Sequence, residues 1–230
     1  MAIELPQARS VAANPTQAEM REWVLEHMPR ITETEFGNLN YKAEVKARLA
    51  ASTFFIVEEE NYQNRMSRAE YNEWAAKQDA YIADKDMILI EGYIGPDPSF
   101  QTASALYMER TQATIPAMQQ QLYFPKDENW DREFTVIYTP GLNAPGKPND
   151  RLILVDHENY VTRVFGSDYF GESKMGGLRM WNHLVYQKGG LAMHSGLKTF
   201  PDVDGEEKVA IILGLSGTGK TTTTFLQQLG

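Results

Sequence analysis

The residues best suited to chemistry form one glycine-rich run, in which a lysine and a threonine directly follow the last glycine. The run has the phosphate-binding pattern G-x-x-x-x-G-K-[ST], and its glycines let backbone N–H groups turn toward phosphate oxygens. In this pattern Lys220 reaches the β- and γ-phosphates, and the hydroxyl of Thr221 binds Mg²⁺. We therefore predict a site for a nucleoside triphosphate with Mg²⁺, formed by Gly214, Leu215, Ser216, Gly217, Thr218, Gly219, Lys220, Thr221 and Thr222.

The elements around this run must present it to a phosphate chain. Residues 208–213 form a continuous, mainly apolar stretch that predicts a buried strand, and a helix is expected after Thr221. Strand, loop and helix dipole together are the context that phosphate binding requires. A glycine-rich turn with a chance lysine is the alternative, and the strand in front argues against it. Since a nucleotide-binding domain continues well beyond its first loop, we expect these 230 residues to hold only its start.

The rest of the chain predicts an α/β fold, with a mixed α+β domain ahead of the phosphate loop. Thr16 and Glu19 have capping-box spacing, and the apolar positions after them predict a helix that runs to Met28 and ends at Pro29. We expect the first fourteen residues to form a loose tail and residues 140–150 an exposed loop. Further helices are predicted at 42–50, 67–77 and 176–187, and strands at 53–57, 86–94, 103–108, 134–138 and 152–155.

Composition excludes several classes of function. The formal net charge of −9 argues against non-specific nucleic-acid binding, although a local cluster of Lys and Arg still accommodates anionic substrates. The sequence has no cysteine, so it forms neither disulfides nor thiolate metal sites. It shows no secretion signal and no apolar run long enough to span a membrane, so we expect a soluble cytoplasmic protein.

Four further motifs precede the phosphate loop between residues 169 and 195. Together with the loop they resemble ATP-dependent phosphoenolpyruvate carboxykinase, whose loop also reads GLSGTGKTT. The resemblance is strong over about residues 150–224 and weaker back to about residue 50. The four motifs are Tyr169-Phe170-Gly171-Glu172-Ser173-Lys174-Met175-Gly176, Met180-Trp181-Asn182-His183-Leu184, Lys188-Gly189 and Met193-His194-Ser195.

The resemblance implies an enzyme that converts oxaloacetate and ATP to phosphoenolpyruvate, CO₂ and ADP. It implies Mg²⁺ on the nucleotide, a second divalent cation such as Mn²⁺ at the enolate, and small-molecule partners without nucleic acid or membrane. Catalytic roles fall on Arg65 as carboxylate clamp, Tyr169 beside the substrate or CO₂, and the cations Lys174 and Lys220. Metal-binding roles fall on His194 and Thr221.

The residue types alone leave simpler interpretations open at three of these positions. Arg65 also fits a solvated arginine at a helix start. Tyr169 also fits a core aromatic residue. His194 follows an apolar run and also fits a core histidine with satisfied hydrogen bonds.

Met175 is the sharpest departure from the family pattern. The family carries a second lysine here that binds the metal in its neutral form, and a thioether is a poor ligand for Mn²⁺ or Mg²⁺. Two alternatives therefore stay open. One is a related P-loop kinase that phosphorylates another anionic acceptor, and the other is a non-catalytic fragment that keeps the fold.

The resemblance also predicts how the chain is divided. We expect an N-terminal extension over 1–40, a carboxykinase-like N-terminal domain over 41–188, and the start of a P-loop nucleotide-binding domain of the same family over 189–230. With only that start present, the 230-residue chain alone is expected to be inactive and to bind ATP weakly at most.

Overall fold

A computed structural model describes residues 3–59, 63–215 and 217–225 and divides the chain into two compact units. The first unit covers Met1–Leu184 and the second Val185–Gly230. The mostly parallel sheet of the first unit, together with its helices, confirms the predicted α/β class. The three predicted domains, 1–40, 41–188 and 189–230, stay predictions.

Eight strands of the first unit form one sheet. They are β1 (Ser10–Ala13), β4 (Thr53–Ile56), β5 (Arg65–Met66), β6 (Asp86–Ile94), β7 (Thr102–Glu109), β8 (Phe134–Thr139), β9 (Leu152–Asp156) and β10 (Val161–Phe165). Their order is β1-β6-β7-β8-β10-β9-β4-β5, and most neighbours are parallel. The pairs β6–β7 and β10–β9 are antiparallel. A separate antiparallel pair joins β2 (Ile31–Glu33) to β3 (Leu39–Tyr41).

Helices cover both faces of this sheet. They are α1 (Gln17–His27), α2 (Arg68–Ile82), α3 (Thr114–Gln120) and α4 (Phe170–Gln187). The larger core cluster joins Met20 of α1 and Met180 of α4 to Leu106 of β7, and a second cluster joins Tyr71 of α2 to Phe165 of β10. Strands β7 to β10 are buried along their whole length, as expected for strands covered on both faces.

Local signals located several elements correctly. The Thr16 hydroxyl accepts the backbone N–H of Glu19 at 3.2 Å, and the Glu19 carboxylate accepts the backbone N–H of Thr16 at 2.7 Å. This capping box starts α1 as predicted, since it satisfies two amides that a helix N-terminus leaves unpaired. Strand β6 has the predicted bounds, and α2 begins at Arg68, one residue after the predicted start of this helix, and runs to Ile82, five residues past its predicted end.

Helix α4 begins at Phe170, six residues before its predicted start at Gly176. A Cβ added to Gly176 would lie 2.7 Å from the Val136 Cγ2 atom of β8, so the glycine lets the helix approach the sheet closely. The prediction took this packing glycine for the beginning of the helix. The earlier turns are held by Glu172, which is fully buried and pairs with Arg179.

Two expectations for the N-terminal region are wrong. The predicted loose tail contains β1, which pairs in parallel with β6 and is tied to it by the bidentate ion pair of Arg9 with Asp86. The predicted helix at 42–50 does not form. Its backbone amides at Glu44 and Val45 instead donate to the Asp168 carboxylate, at 2.7 and 2.9 Å, which competes with helical hydrogen bonding.

The second unit consists of a hairpin, the glycine-rich loop and a short helix. Strands β11 (Gly196–Pro201) and β12 (Glu207–Ile212) pair antiparallel, and α5 covers Lys220–Phe225. The strand predicted at 208–213 is confirmed as a strand, but its predicted burial is wrong. Val209 and Ile211 are exposed, because β11 is the only strand beside β12 in the described part of the chain.

Candidate functional site

The phosphate loop joins β12 to α5, so the expected order of strand, loop and helix is present. Gly217 and Gly219 have φ values of +79° and +91°, which residues with a Cβ rarely adopt. The Lys220 ammonium donates to the carbonyls of Gly214 and Leu215 at 2.8 and 2.9 Å. The lysine is thereby folded back over its own loop, where it can exchange these carbonyls for phosphate oxygens.

The remaining loop residues are arranged around this lysine. The Thr218 hydroxyl donates to the Leu215 carbonyl at 2.8 Å and closes the loop on itself. A Cβ on Gly214 would collide with that hydroxyl, so another residue there would force the Thr218 side chain to move and break this hydrogen bond. Thr221 and Thr222 lie exposed in the first turn of α5. Ser216 lies outside the described residues.

Lys174 and Met175 lie in the N-terminal half of α4 within the first unit. Lys174 is exposed and lines a cavity of about 170 Å³ together with Gln119 and Tyr123. Met175 is partly buried. An exposed ammonium beside a small cavity is suited to holding an anionic group.

Tyr169 directly precedes α4 and is partly buried. Its carbonyl accepts the hydroxyl of Tyr138 at 2.9 Å and the backbone N–H of Glu172 at 3.0 Å, so its backbone is fixed. The residue lines a different and larger cavity, of about 800 Å³, that Lys174 does not line. The structure therefore does not bring Tyr169 and Lys174 into one cavity.

Arg65 lies in β5, at the edge of the large sheet, opposite Phe55 of β4. Its side chain is exposed, and its guanidinium donates to the Glu58 carbonyl at 3.4 Å. Arg65 lines neither of the two cavities described above. Its accessible guanidinium can bind a carboxylate, although the proposed clamp stays a prediction.

His194 lies in the second unit, before β11, and is exposed, which disagrees with its interpretation as a core histidine. Within residues 3–59, 63–215 and 217–225, no group of three or more His, Cys, Asp or Glu side chains is placed to hold a metal ion. His194 alone therefore does not constitute a cation site in the described structure.

Comparison with known proteins identifies the family of this chain. The family model described as phosphoenolpyruvate carboxykinase matches residues 9–228. This chain belongs to the phosphoenolpyruvate carboxykinase family. The resemblance seen in the motifs is thereby confirmed, and it extends to N-terminal residues that carry no recognisable motif.

Individual members of the phosphoenolpyruvate carboxykinase family match at low identity. A phosphoenolpyruvate carboxykinase (ATP) of Caldanaerobacter subterraneus subsp. tengcongensis is 29% identical over 62% of this chain and 28% of its own length. That of Alkaliphilus oremlandii is 31% identical over 62% and 28%, respectively. That of Geobacter sp. (strain M21) is 27% identical over 82% and 38%. The chain thus spans about a third of the length of these relatives.

Helix α4 contains a buried ion pair that was not predicted from the sequence, between Glu172 of the first family motif and Arg179. Glu172 accepts from Arg179 at 2.8 Å and from the backbone N–H of Leu49 at 3.3 Å, and both side chains of the ion pair are almost fully buried. The pair spans two turns of α4 and fixes the turns that carry Lys174 and Met175. The spacing of seven residues puts both side chains on one helix face, and this spacing is the sequence feature from which the pair could have been predicted.

A second missed feature is a pair of stacked histidines beside the end of β9. The rings of His157 and His183 are parallel, with centroids 4.4 Å apart. Burial and the neighbouring His183 lower the pKa of His157 to about 4, although Asp156 opposes this. The two residues lie 26 positions apart, so no local pattern indicated the contact.

Among the described residues, no helix is both long and apolar enough to cross a membrane.

Proposed function

We propose that the protein from which this chain is taken is an ATP-dependent phosphoenolpyruvate carboxykinase acting in the cytoplasm. It would convert oxaloacetate and ATP to phosphoenolpyruvate, CO₂ and ADP. The observation that carries the proposal is the loop from Gly214 to Thr222, with the Lys220 ammonium held over it, in a chain that the family model matches over residues 9–228.

The loop residues fit a magnesium-bound triphosphate. Two glycines with positive φ precede the start of α5, a backbone conformation in which N–H groups can turn toward a phosphate, and Lys220 would add a positive charge there. The hydroxyl of Thr221 would hold Mg²⁺, which would neutralise charge on the transferring phosphoryl group. Lys220 would stabilise the β- and γ-phosphates by exchanging its two carbonyl partners for phosphate oxygens.

Residues of the first unit would bind the organic substrate. Oxaloacetate carries two carboxylates, so its binding requires cations, and Arg65 and Lys174 present accessible ones. We assign Arg65 to a carboxylate, Lys174 to the developing negative charge, and Tyr169 to packing against the substrate. Among the described residues, His194 is not joined by two further His, Cys, Asp or Glu side chains, so no step of this proposal is routed through Mn²⁺.

Met175 favours a second candidate, a related P-loop kinase with another anionic acceptor. Its side chain cannot replace the lysine that the family pattern carries at this position, while the phosphate loop is unaltered. Such an enzyme would keep ATP and Lys220 and lose the preference for oxaloacetate. The two candidates therefore differ in acceptor and agree in nucleotide.

The test is an assay of oxaloacetate-dependent phosphoenolpyruvate formation by the full-length protein with ATP, Mg²⁺ and Mn²⁺. We expect product, and we expect Lys220→Ala to lower kcat/KM at least about 100-fold. Lys208→Ala is the matched control, because Lys208 is exposed in the same unit and pairs only with Asp202 and Glu206. ATP binding without any product would overturn the carboxykinase reaction and support the second candidate.

A second experiment, with variants of Met175, distinguishes the two candidate functions. In a carboxykinase, Met175→Lys would restore the family lysine, and we expect a higher rate or a Mn²⁺ affinity about ten-fold tighter. Met175→Leu is the control, because it removes the thioether without adding an amine. An unchanged rate and Mn²⁺ affinity in the lysine variant would contradict our placement of the metal-binding position.

A further inference from the structure

The largest cavity described in the first unit is lined by Tyr169 but by neither Arg65 nor Lys174, so the proposed reaction gives a role to only one of its lining residues. It measures about 800 Å³ and lies between α1, β3 with the irregular residues that follow it, α3 and the start of α4. Met20, Val24, Ile115 and Phe170 give it an apolar lining. Its volume falls within the range of small-molecule sites, so it has room for an organic ligand.

The charges around this cavity are mainly positive. Arg21, Lys42 and Lys46 line it, and Asp168 is the only acidic residue among its lining residues. Arg21 is neutralised by Glu33 at 2.7 Å. Lys42 and Lys46 are exposed, and neither forms an ion pair with a carboxylate of the described residues. In a chain of net charge −9, two such lysines mark a local preference for an anion.

Asp168 reduces this preference without cancelling it, because its single negative charge stands against two lysines and its carboxylate is already hydrogen-bonded. It accepts the hydroxyl of Tyr41 at 2.6 Å and the backbone N–H groups of Glu44 and Val45 at 2.7 and 2.9 Å. These contacts, opposed by burial, hold the pKa of Asp168 below its usual value. They also fix the segment that carries the two lysines, so the positive rim is formed before any ligand arrives.

We propose that this cavity binds a small carboxylate with an apolar body, such as a medium-chain fatty acid. The carboxylate would lie between the ammonium groups of Lys42 and Lys46, and the hydrocarbon would pack against Met20, Val24 and Phe170. Burying the hydrocarbon supplies most of the affinity, and the lysines supply the orientation and the selectivity for an anion. The proposal does not depend on the carboxykinase reaction.

The test measures binding of decanoate to the 230-residue chain by titration calorimetry and by NMR chemical-shift changes. With about 12 non-hydrogen atoms, decanoate should bind with a dissociation constant on the order of 100 μM. Decan-1-ol, which has the same chain without the charge, should bind at least about ten-fold more weakly, because it forms no charge-assisted hydrogen bond. Comparable binding of the alcohol and the acid would overturn the assigned role of the lysines.

Variants then locate the site. The double variant Lys42→Gln with Lys46→Gln should weaken decanoate binding about ten-fold, and it changes only exposed side chains. Lys77→Gln is the matched control, because α2 contributes no residue to the cavity and this variant should bind like the wild type. Ala117→Phe, which places a ring into the cavity from α3, should abolish binding.

Two results would refute the proposal. One is the absence of decanoate binding at millimolar concentration in a chain whose far-ultraviolet circular dichroism shows it to be folded. The other is binding that survives both the lysine double variant and Ala117→Phe, since the ligand would then lie elsewhere.

Discussion

The two units of this protein bury their apolar residues to very different extents. In Met1–Leu184, strands β7 to β10 are completely buried and three core clusters join them to the helices. In Val185–Gly230, Val185 is the only buried residue among those described, and Leu197, Val209 and Leu213 are more than half exposed. The first unit therefore has a hydrophobic core of its own, and the described part of the second has none.

This contrast separates the local geometry of the predicted phosphate loop from the burial of the described residues around it. The phosphate loop is shaped by glycine φ values and by hydrogen bonds within seven residues, from Gly214 to Lys220. Such geometry is local and needs no core to be recognisable. Its rigidity is a separate matter, because few buried contacts mean low resistance to local opening. We therefore expect the loop to be recognisable from its sequence and to open readily by local unfolding in this chain.

The largest expected effect tests the contrast directly with one leucine from a strand of each unit. Leu106 of β7 is fully buried, and Leu197 of β11 is 58% exposed. Leu106→Ala should lower the free energy of unfolding by about 3 kcal/mol, because it removes buried methyl groups and leaves a cavity. Leu197→Ala should change it by less than about 0.5 kcal/mol. Urea unfolding followed by tryptophan fluorescence measures the effect of Leu106→Ala, since all four tryptophans lie in the first unit, and far-ultraviolet circular dichroism, which reports on both units, measures that of Leu197→Ala.

Hydrogen exchange provides the second readout of the same comparison. Amides of β8 and β10 should be protected against exchange, and those of β11 and β12 should exchange far faster. Equal protection in both units, or equal losses in the two alanine variants, would contradict the claim that only the first has a core.

The second prediction compares a histidine from each unit. Because the pKa of His157 is lowered to about 4 in the folded chain, the unfolded chain takes up the proton first as pH falls. Stability contributed by neutral His157 is complete above its unfolded pKa of about 6.5 and is lost as pH falls toward 4. We expect a loss of about 2–3 kcal/mol across this window, measured by urea unfolding at a series of pH values.

The controls for this pH dependence are two glutamine variants. His157→Gln should remove most of the extra loss between pH 6.5 and 4. His194→Gln should leave the loss unchanged, because His194 is exposed in the second unit. A wild-type curve that is flat over this window would show that the stacked histidines do not disfavour protonation.

How far the fold could be predicted follows from the distance over which each element is determined. Strand β6 and the start of α1 depend on their own residues, and both were predicted correctly. The segment 42–50 has helical spacing, yet its amides bind Asp168, more than 120 positions away. Strand β1 was missed for the same reason, because only pairing with β6 makes it a strand. Contacts between distant segments override local propensity in both cases.

The residues of the candidate site also differ in whether nearby or distant parts of the sequence determine their placement. The phosphate loop is contiguous in sequence, so its type, order and lysine could be recognised from residue spacing alone. Arg65, Tyr169 and Lys174 are separated in the sequence and are distributed over β5, the residue before α4, and α4 itself. No sequence pattern states which cavity each side chain lines, and the structure assigns Tyr169 and Lys174 to different ones.

The smallest predicted effect tests a locally determined feature of each unit. Thr16→Ala should lower the free energy of unfolding by about 1 kcal/mol, because the capping hydroxyl that accepts the Glu19 amide is lost. Thr16→Ser keeps the hydroxyl and should restore most of the stability. In α5 the Thr224 hydroxyl only donates to the Lys220 carbonyl within the helix, so Thr224→Ala should cost less than about 0.5 kcal/mol. A larger loss from Thr224→Ala than from Thr16→Ala, by tryptophan-detected unfolding, would show that the second unit supports the first one's stability.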